Sequence, residues 1–373
     1  MQAGQIEAVV EASAKQQPSR RWLFIFLATF FIAQAAALTI NYIVDPFQLF
    51  HFSGIYSTAR DDQRTSYAGT IRTAPPFDAA VIGSSYVGNF NPDLIDRLFG
   101  VHTRVFSTFG ASQKELSLTL AYLLARRPEL KVVFLEASVW ELCNTGIRLT
   151  WNFPEGLYRD DFGARLQYLT SGTTLATSGR KIGFLLGLGG SFSRDARMSH
   201  RWIDALRGNF NNPKYMTLIL RRDAPKAKPN EPHILDVEAD AKAVAACFEH
   251  WILPYVRAHP KTMFYVFNPP VIQQLLWYQE SRGVVSAWAR AEELIAEKFR
   301  APNLKVFDFY ADKEVVNDCT RFMDIAHFDE ATGDRIVKFM HEGKFERTKQ
   351  TDAAISALAK SDLTERHPCA LEE

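Results

Sequence analysis

The chain has 373 residues, more than a usual single domain, so we expect one large domain with appendages, or two domains. Apolar residues make up 47% of it, including 28 phenylalanines, which is enough for a sizeable core. A net charge of +1 lacks the basic surplus of nucleic-acid-binding proteins, so no nucleic-acid partner is expected. The four cysteines have no short paired spacing, which argues against a zinc ribbon. An exported domain could hold one disulfide, but the sequence leaves the pairing open.

The first predicted element is a transmembrane helix over residues 22–44, an apolar run without a polar stripe. About 20 apolar residues suffice to cross the hydrocarbon core. Basic residues precede the run, whereas Asp45 follows it and the next Lys or Arg is Arg60. By the positive-inside tendency, residues 1–21 form a cytoplasmic tail and everything after the helix is exported. We therefore predict a single-pass protein of a bacterial inner membrane with a periplasmic domain.

A cleaved signal peptide is the alternative interpretation of this run. Ala33-Gln34-Ala35 resembles a cleavage site. The apolar stretch continues well past that point, which favours a retained anchor. Both interpretations export the remainder of the chain.

The exported part is predicted to contain an irregular connector over residues 45–75 and an α/β domain over residues 76–345. Short apolar runs alternate with longer amphipathic ones, a pattern typical of a parallel sheet covered on both faces. The predicted strands are Ala79–Ile82, Arg104–Phe106, Val132–Leu135, Phe264–Phe267 and Val306–Phe307. The predicted helices are Pro92–Phe99, Gln113–Arg126, Glu238–Leu253, Val285–Phe299 and Ala331–Glu342.

Two regions do not fit this alternation. Residues of about 145–237 are rich in glycine, proline and charge, and we expect an inserted, mainly helical cap over the sheet. Residues 346–373 are polar, and we expect a poorly ordered tail.

Chemistry is concentrated in two short motifs. Gly83-Ser84-Ser85 follows the first strand, where a glycine permits a sharp turn and presents serines at the carboxyl edge of the sheet. Asp324-Ile325-Ala326-His327 places a carboxylate three residues from an imidazole. A serine needs a base to become a nucleophile, and the base needs an orienting partner. Alone, each motif could equally be structural, a capped turn or a loop histidine; together they predict an acyl-transfer site.

These motifs resemble those of the SGNH (GDSL-like) hydrolase superfamily, which implies a flavodoxin-like three-layer fold with a Ser–His–Asp site. The resemblance makes Ser85 the nucleophile, His327 the base and Asp324 its partner, with Ser84 in place of the family's aspartate. The segment 105–112 corresponds to the second family block, so the resemblance implies that the Ser85 and Gly110 amides hold the oxyanion.

The third family block differs, because Leu135-Glu136-Ala137-Ser138 lacks the family's asparagine. Loss of one oxyanion donor costs about 10²–10³ in rate, unless Ser138, Asn144 or Asn89 substitutes. Trp140 is a candidate for stacking on a sugar ring, although an aromatic residue is more often core. Asn268 ends the fourth strand and either shapes the pocket or simply makes a turn.

The likeness is greatest to membrane-anchored bacterial proteins related to alginate O-acetylation and D-alanyl-transfer proteins. It implies a serine esterase or O-acyltransferase, most plausibly for acetyl, acting on an exported polysaccharide or envelope polymer. Other subunits of exopolysaccharide machinery are expected partners, and neither a cofactor nor a metal is expected. The alternatives are a catalytically inactive glycan-binding or scaffold subunit, which the missing asparagine favours, and a lipid esterase at the membrane surface.

Overall fold

The computed structural model describes residues 20–53, 63–138, 143, 153–188, 236–298 and 300–360. The chain divides into two compact units. One comprises residues 1–46 and 162–190, and the other comprises residues 47–161 and 191–373.

The larger unit is built on a five-stranded parallel sheet, which confirms the predicted α/β class. Each observed strand contains a predicted strand and is longer than it by one to three residues. The prediction succeeded because apolar runs bounded by turn residues mark buried strands. The strand order is β2-β1-β3-β4-β5, so the connection reverses direction between β1 and β3. In such sheets, ligands bind at the carboxyl ends of the strands beside this reversal. The strands are β1 (Ala79–Gly83), β2 (Thr103–Ser107), β3 (Val132–Glu136), β4 (Met263–Asn268) and β5 (Leu304–Asp308).

The helices follow the local signals in the sequence where these are strong. Asn91 and Gly100 cap one helix, and a capping box of Ser112 and Glu115 begins the next. In chain order, the helices are α1 (Arg20–Val44), α2 (Gln63–Thr73), α3 (Pro92–Phe99), α4 (Gln113–Arg126), α5 (Glu155–Tyr158), α6 (Phe162–Thr170), α7 (Gly172–Leu185), α8 (Val237–Trp251), α9 (Leu253–Ala258), α10 (Gln273–Ser281), α11 (Val284–Lys298), α12 (Lys313–Val316), α13 (Glu330–Glu342) and α14 (Lys349–Lys360). Short 3₁₀ turns span Ser85–Asn89, Phe309–Ala311 and Cys319–Arg321.

Both faces of the sheet are covered. Every residue of β1, β2 and β3 is buried, and successive side chains of a strand point to opposite faces. On one face, Val81 and Phe134 belong to a core cluster that includes Ile95 of α3 and Ile336 of α13. The three adjacent strands β2, β1 and β3 are therefore packed within the core along their whole length.

The prediction of an irregular connector over residues 45–75 is wrong for its last third. Residues 63–73 form α2, and Tyr67 and Ile71 in that helix are at most 1% exposed. The helix was missed because its buried face includes polar residues, so its sequence lacks a clear apolar stripe. Residues 54–62 lie outside the described residues.

The prediction of a disordered tail is also wrong up to residue 360. Helix α14 buries Ile355 completely. Just before it, the Arg347 guanidinium pairs with the buried carboxylate of Glu292 and lies 3.7 Å from that of Asp308. A single apolar side chain and a buried arginine thus fix a segment whose composition is polar.

The smaller unit contains α1, which is 25 residues long and apolar enough to cross a membrane. Helices α6 and α7 pack against it. The described part of the predicted insertion is therefore helical, but residues 162–188 belong with the apolar helix, not with the unit built on the sheet. Residues 145–152 and 189–235 of that prediction lie outside the described residues.

A disulfide joins Cys143 to Cys247, a pairing that the sequence left open. Cys319 is also disulfide-bonded. Such bonds are typical of oxidising compartments.

Candidate active site

The nucleophile turn begins where β1 ends. Gly83 is the last residue of the strand, and a Cβ there would lie 2.6 Å from both Glu136 Oε2 and Val87 Cγ1. Only glycine therefore fits this packing. Ser84 then caps the 3₁₀ turn that starts at Ser85.

A buried carboxylate at the end of β3 holds this turn from beneath. Glu136 is 1% exposed, and its Oε2 accepts the Ser84 backbone N–H at 2.7 Å. The Ser84 hydroxyl lies 2.9 and 3.0 Å from the two carboxylate oxygens. Glu136 thereby fixes the residue directly before the candidate nucleophile.

The loop after β2 forms the second wall. The Thr108 N–H donates to the Gly83 carbonyl at 2.8 Å, and Ser107 Oγ donates to the Ser84 carbonyl at 2.9 Å. Gly110 has φ of +55°, which suits glycine, and its N–H makes no hydrogen bond with any described residue.

Helix α2 supports this loop from behind. Gln63 Oε1 accepts the Phe109 N–H at 2.8 Å, and Arg64 donates to the Phe109 carbonyl at 3.0 Å. Arg64 is itself held by Glu115 at 2.8 Å. The loop conformation that orients the Gly110 amide is therefore supported by a buried ion pair.

Residues 323–328, the histidine loop, lie after the last strand and are held largely by hydrogen bonds within the loop. Asp324 Oδ1 accepts the backbone N–H groups of Ala326 and His327 at 2.8 and 2.7 Å. The Met323 N–H donates to the His327 carbonyl at 2.8 Å, which closes the loop. The backbone therefore presents the imidazole on a tight turn.

The two motifs meet. Ser85 Oγ lies 2.7 Å from His327 Nε2, and His327 Nδ1 lies 2.6 Å from Asp324 Oδ2. The side chains of His327 and Asp324 are 28% and 21% exposed, so solvent and small molecules can reach the chain of hydrogen bonds. The ring of Tyr86 stacks on the imidazole at 5.6 Å between centroids.

The charge state of Asp324 defines the proton positions. Burial opposes ionisation, but the hydrogen bond and charge interaction with His327 and the two backbone N–H groups outweigh it, and the pKa of Asp324 is lowered. An ionised carboxylate only accepts hydrogen bonds, so Nδ1 of the histidine carries the proton. In the neutral imidazole, Nε2 is then the acceptor for the Ser85 hydroxyl.

The five residues considered for substrate binding or as substitute oxyanion donors have different positions. Asn89 is 3% exposed and donates to the Phe328 carbonyl at 2.6 Å, which ties the 3₁₀ turn to the histidine loop. Asn268 is 1% exposed and donates to Asp308 at 3.0 Å, so its amide belongs to the core. Ser138 is 3% exposed, and its hydroxyl makes no hydrogen bond with the described residues. Trp140 and Asn144 lie outside the described residues.

Sequence reasoning missed the supporting residues Glu136, Gln63 and Arg64. A carboxylate ending an otherwise apolar strand at the carboxyl edge was a usable signal for Glu136. No comparable signal existed for Gln63 and Arg64, because their partner loop is about 45 residues away.

Comparison of the chain with protein-family models, with curated proteins and with solved structures finds no match in any of the three. The functional conclusion therefore depends on the residues themselves.

Proposed function

We propose that the protein is a serine esterase or O-acyltransferase of the SGNH type. The observation that carries the proposal is the unbroken chain of hydrogen bonds from Ser85 through His327 to Asp324. Three side-chain types in this order are the arrangement that activates a serine hydroxyl at neutral pH.

In the proposed reaction, Ser85 Oγ attacks the carbonyl carbon of an acyl ester while His327 Nε2 takes the hydroxyl proton. Asp324 stabilises the resulting imidazolium, and the amides of Ser85 and Gly110 hold the oxyanion. Collapse of the tetrahedral intermediate breaks the ester bond, and the imidazolium returns its proton to the leaving alkoxide. Water or an acceptor hydroxyl then attacks the acyl-serine by the same steps, which gives hydrolysis or transfer.

Topology supports assignment to the SGNH superfamily. The strand order β2-β1-β3-β4-β5 is that of flavodoxin-like sheets, in which the site lies beside the reversal between β1 and β3. Ser85 follows β1 and Gly110 follows β2, and the Asp324-x-x-His327 motif comes last in the chain. These are the positions that the resemblance requires.

We further propose that α1 anchors the protein in a bacterial inner membrane with the sheet domain on the periplasmic side. The helix is long and apolar enough to span, and the Cys143–Cys247 disulfide suits an oxidising compartment. The proposed substrate is then an acylated exported polysaccharide or envelope polymer, and the expected partners are subunits that synthesise or export it.

The test is a fluorophosphonate probe applied to the full-length protein, together with release of acetate from an acetylated ester and glycan. Ser85→Ala is expected to abolish labelling and turnover while circular dichroism stays unchanged. Ser286→Ala is the matched control, because its hydroxyl donates to Glu280 and takes no part in the site. Unchanged turnover in Ser85→Ala would exclude the mechanism.

One observation favours a second function, a catalytically silent glycan-binding or scaffold subunit. The third-block asparagine is missing, and the amides of Asn89 and Asn268 are both committed to other partners. If the folded wild-type protein takes no probe and yet retains glycan in a pull-down, this second function replaces the first.

A further inference from the structure

In the smaller unit, several polar side chains are buried and several large apolar ones are exposed. In helix α7, one face is fully covered although it carries hydroxyls and an amine, and these side chains are at most 4% exposed. They are Thr174, Thr177, Ser178 and Lys181. A helix in water normally covers its apolar face and exposes its polar one.

Many exposed side chains of the same hairpin are large and apolar, beside the exposed polar residues Gln167, Thr170, Thr173 and Arg180. The exposed fractions of the apolar ones range from 38% to 80%, and they are Phe162, Leu166, Ile182, Leu185, Leu186 and Leu188. Scattered exposed leucines are ordinary, but a set of this size on two short helices and the turn that follows them marks a surface that has a partner.

Polar groups between the hairpin and α1 are satisfied internally. Asn41 is fully buried, and its amide donates to the carbonyls of Leu169 and Ser171 at 2.8 and 3.3 Å. The Ser178 hydroxyl donates to Asn41 Oδ1 at 2.9 Å, and the Tyr168 hydroxyl donates to Asp45 Oδ1 at 2.8 Å. Groups paired in this way need no water.

Hydroxyls elsewhere in these helices are also satisfied without water. Thr39, Thr170 and Thr177 each donate to the carbonyl four residues earlier, at 2.8 to 3.0 Å. This back-bonding is how serine and threonine are accommodated in membrane helices.

The position of the hairpin on α1 is defined by Asn41. A helix rises 1.5 Å per residue, so Trp22 to Asn41 covers about 28 Å, close to the roughly 30 Å of a hydrocarbon core. The contacts with Asn41 and Asp45 therefore lie at the far boundary of the span. Helix α7 has 14 residues, too few to cross by itself.

The charge of the hairpin suits the same location. Residues 162–188 include the partly exposed Arg165 and the exposed Arg180 but no aspartate or glutamate. Basic residues beside an apolar face are attracted to anionic headgroups.

We propose that the α6–α7 hairpin is a second membrane-embedded element. It lies at the boundary between headgroups and acyl chains of the leaflet in which α1 ends, and its exposed apolar side chains contact lipid. This inference rests on the proposed membrane anchoring by α1, and it adds a lipid-binding surface outside the candidate active site.

The experiment uses the full-length protein in vesicles of phosphatidylcholine and phosphatidylglycerol. Single cysteines are introduced by Leu185→Cys and Leu186→Cys, both at exposed sites, and labelled with an environment-sensitive dye without reductant. Ile32→Cys on α1 serves as the membrane reference, and Lys261→Cys, an exposed charged position, serves as the aqueous reference.

Both hairpin probes are expected to emit at shorter wavelength than the Lys261 probe and to lose intensity with acyl-chain nitroxide lipids, as the Ile32 probe does. Iodide in the water is expected to quench only the Lys261 probe.

If Ile32 responds to nitroxide lipid but the hairpin probes respond to iodide, the anchor stands and the hairpin proposal fails. If the hairpin probes respond to neither quencher, protein covers them, and the proposal also fails. If Ile32 itself responds to iodide, the anchoring is wrong, and the hairpin proposal fails with it.

Discussion

The two halves of the candidate site are supported in different ways. The nucleophile turn is fixed by three adjacent strands, since Gly83 ends β1, Ser107 ends β2 and Glu136 ends β3, and all three contact the Gly83–Ser84 turn. The histidine loop lies outside the sheet. Besides the site contact itself, its described ties to the rest of the larger unit include the Asn89–Phe328 and Ile272–Ile325 hydrogen bonds.

This difference separates two kinds of sensitivity. Changes at the strand-borne turn disturb the core and the site together, because the same buried groups serve both. Changes at Asp324 and His327 should chiefly alter chemistry, because these side chains are partly exposed, whereas the core contacts of the loop are made by its apolar residues, such as Phe328. The predictions below test this separation.

The largest effect is expected for Asp324→Asn. The amide oxygen is expected to stay on the Ala326 and His327 N–H groups, so the NH2 group faces Nδ1 and donates to it. The imidazole then adopts the wrong tautomer, and kcat is expected to fall by about 10⁴-fold. Asp318→Asn is the matched control in the same loop, where the carboxylate pairs with Arg321. The measurement is the rate of acetate release per mole of folded protein. A fall of less than tenfold in Asp324→Asn would contradict the assigned role.

Glu136→Ala is expected to affect stability and activity together. The Ser84 N–H loses its buried partner, which costs about 1–3 kcal/mol of unfolding free energy. Displacement of the turn is expected to lower kcat by up to about 10²-fold, with KM little changed, which marks Glu136 as a positioning residue. Glu136→Gln should restore part of kcat because its amide oxygen can still accept one bond.

The control for Glu136 is Val133→Ala, a cavity variant in the same strand at a fully buried position. It should lower the free energy of unfolding without lowering kcat. If both variants reduce kcat equally, Glu136 acts only through general stability and has no role in positioning.

Asn89→Ala tests the hydrogen bond that joins the nucleophile turn to the histidine loop. The variant leaves the Phe328 carbonyl without its 2.6 Å partner, at a cost of about 1–3 kcal/mol. A modest loss of kcat, below tenfold, is expected because the imidazole can still reach Ser85 part of the time.

Asn91→Ala is the control for this tie. Asn91 caps α3 through the N–H groups of Asp93 and Leu94, and loss of such a cap costs about 1 kcal/mol. It should match the stability loss but leave kcat unchanged. Equal kcat values for the two variants would show that Asn89 does not position the loop.

The elements that the sequence predicted correctly are those that local residue patterns encode. The parallel sheet follows from apolar runs, and α3 and α4 begin and end as their caps indicate. The proximity of Ser85 and His327 was predicted only through a motif, since 242 positions separate them.

What escaped prediction depends on partners distant in the chain. Helix α2 is buried through Tyr67 and Ile71 despite its polar composition, and α14 is fixed by Ile355 behind a buried Arg347. Local periodicity carries no information about these partners. The inverted polarity of α7 was likewise invisible without the packing against α1.

The smallest expected effect is a pH dependence of stability that distinguishes two carboxylates. The lowered native pKa of Asp324 means that the unfolded state, with a pKa of about 3.9, binds more protons near that pH. Its contribution is therefore complete above the unfolded pKa and is lost as pH falls through the native one. The difference in unfolding free energy between wild type and Asp324→Asn should shrink as pH falls from 6 to 3, measured by denaturant titration in detergent.

Asp352 provides a control of opposite sign, because burial raises its pKa. The native state then binds more protons than the unfolded state, so ionisation at higher pH destabilises it. The wild type should gain stability relative to Asp352→Asn as pH falls through the raised pKa toward 3.9. If the Asp324→Asn comparison shifts in the direction expected for Asp352→Asn, the Asp324 carboxylate is not held ionised by His327, and the proton assignment in the site is wrong.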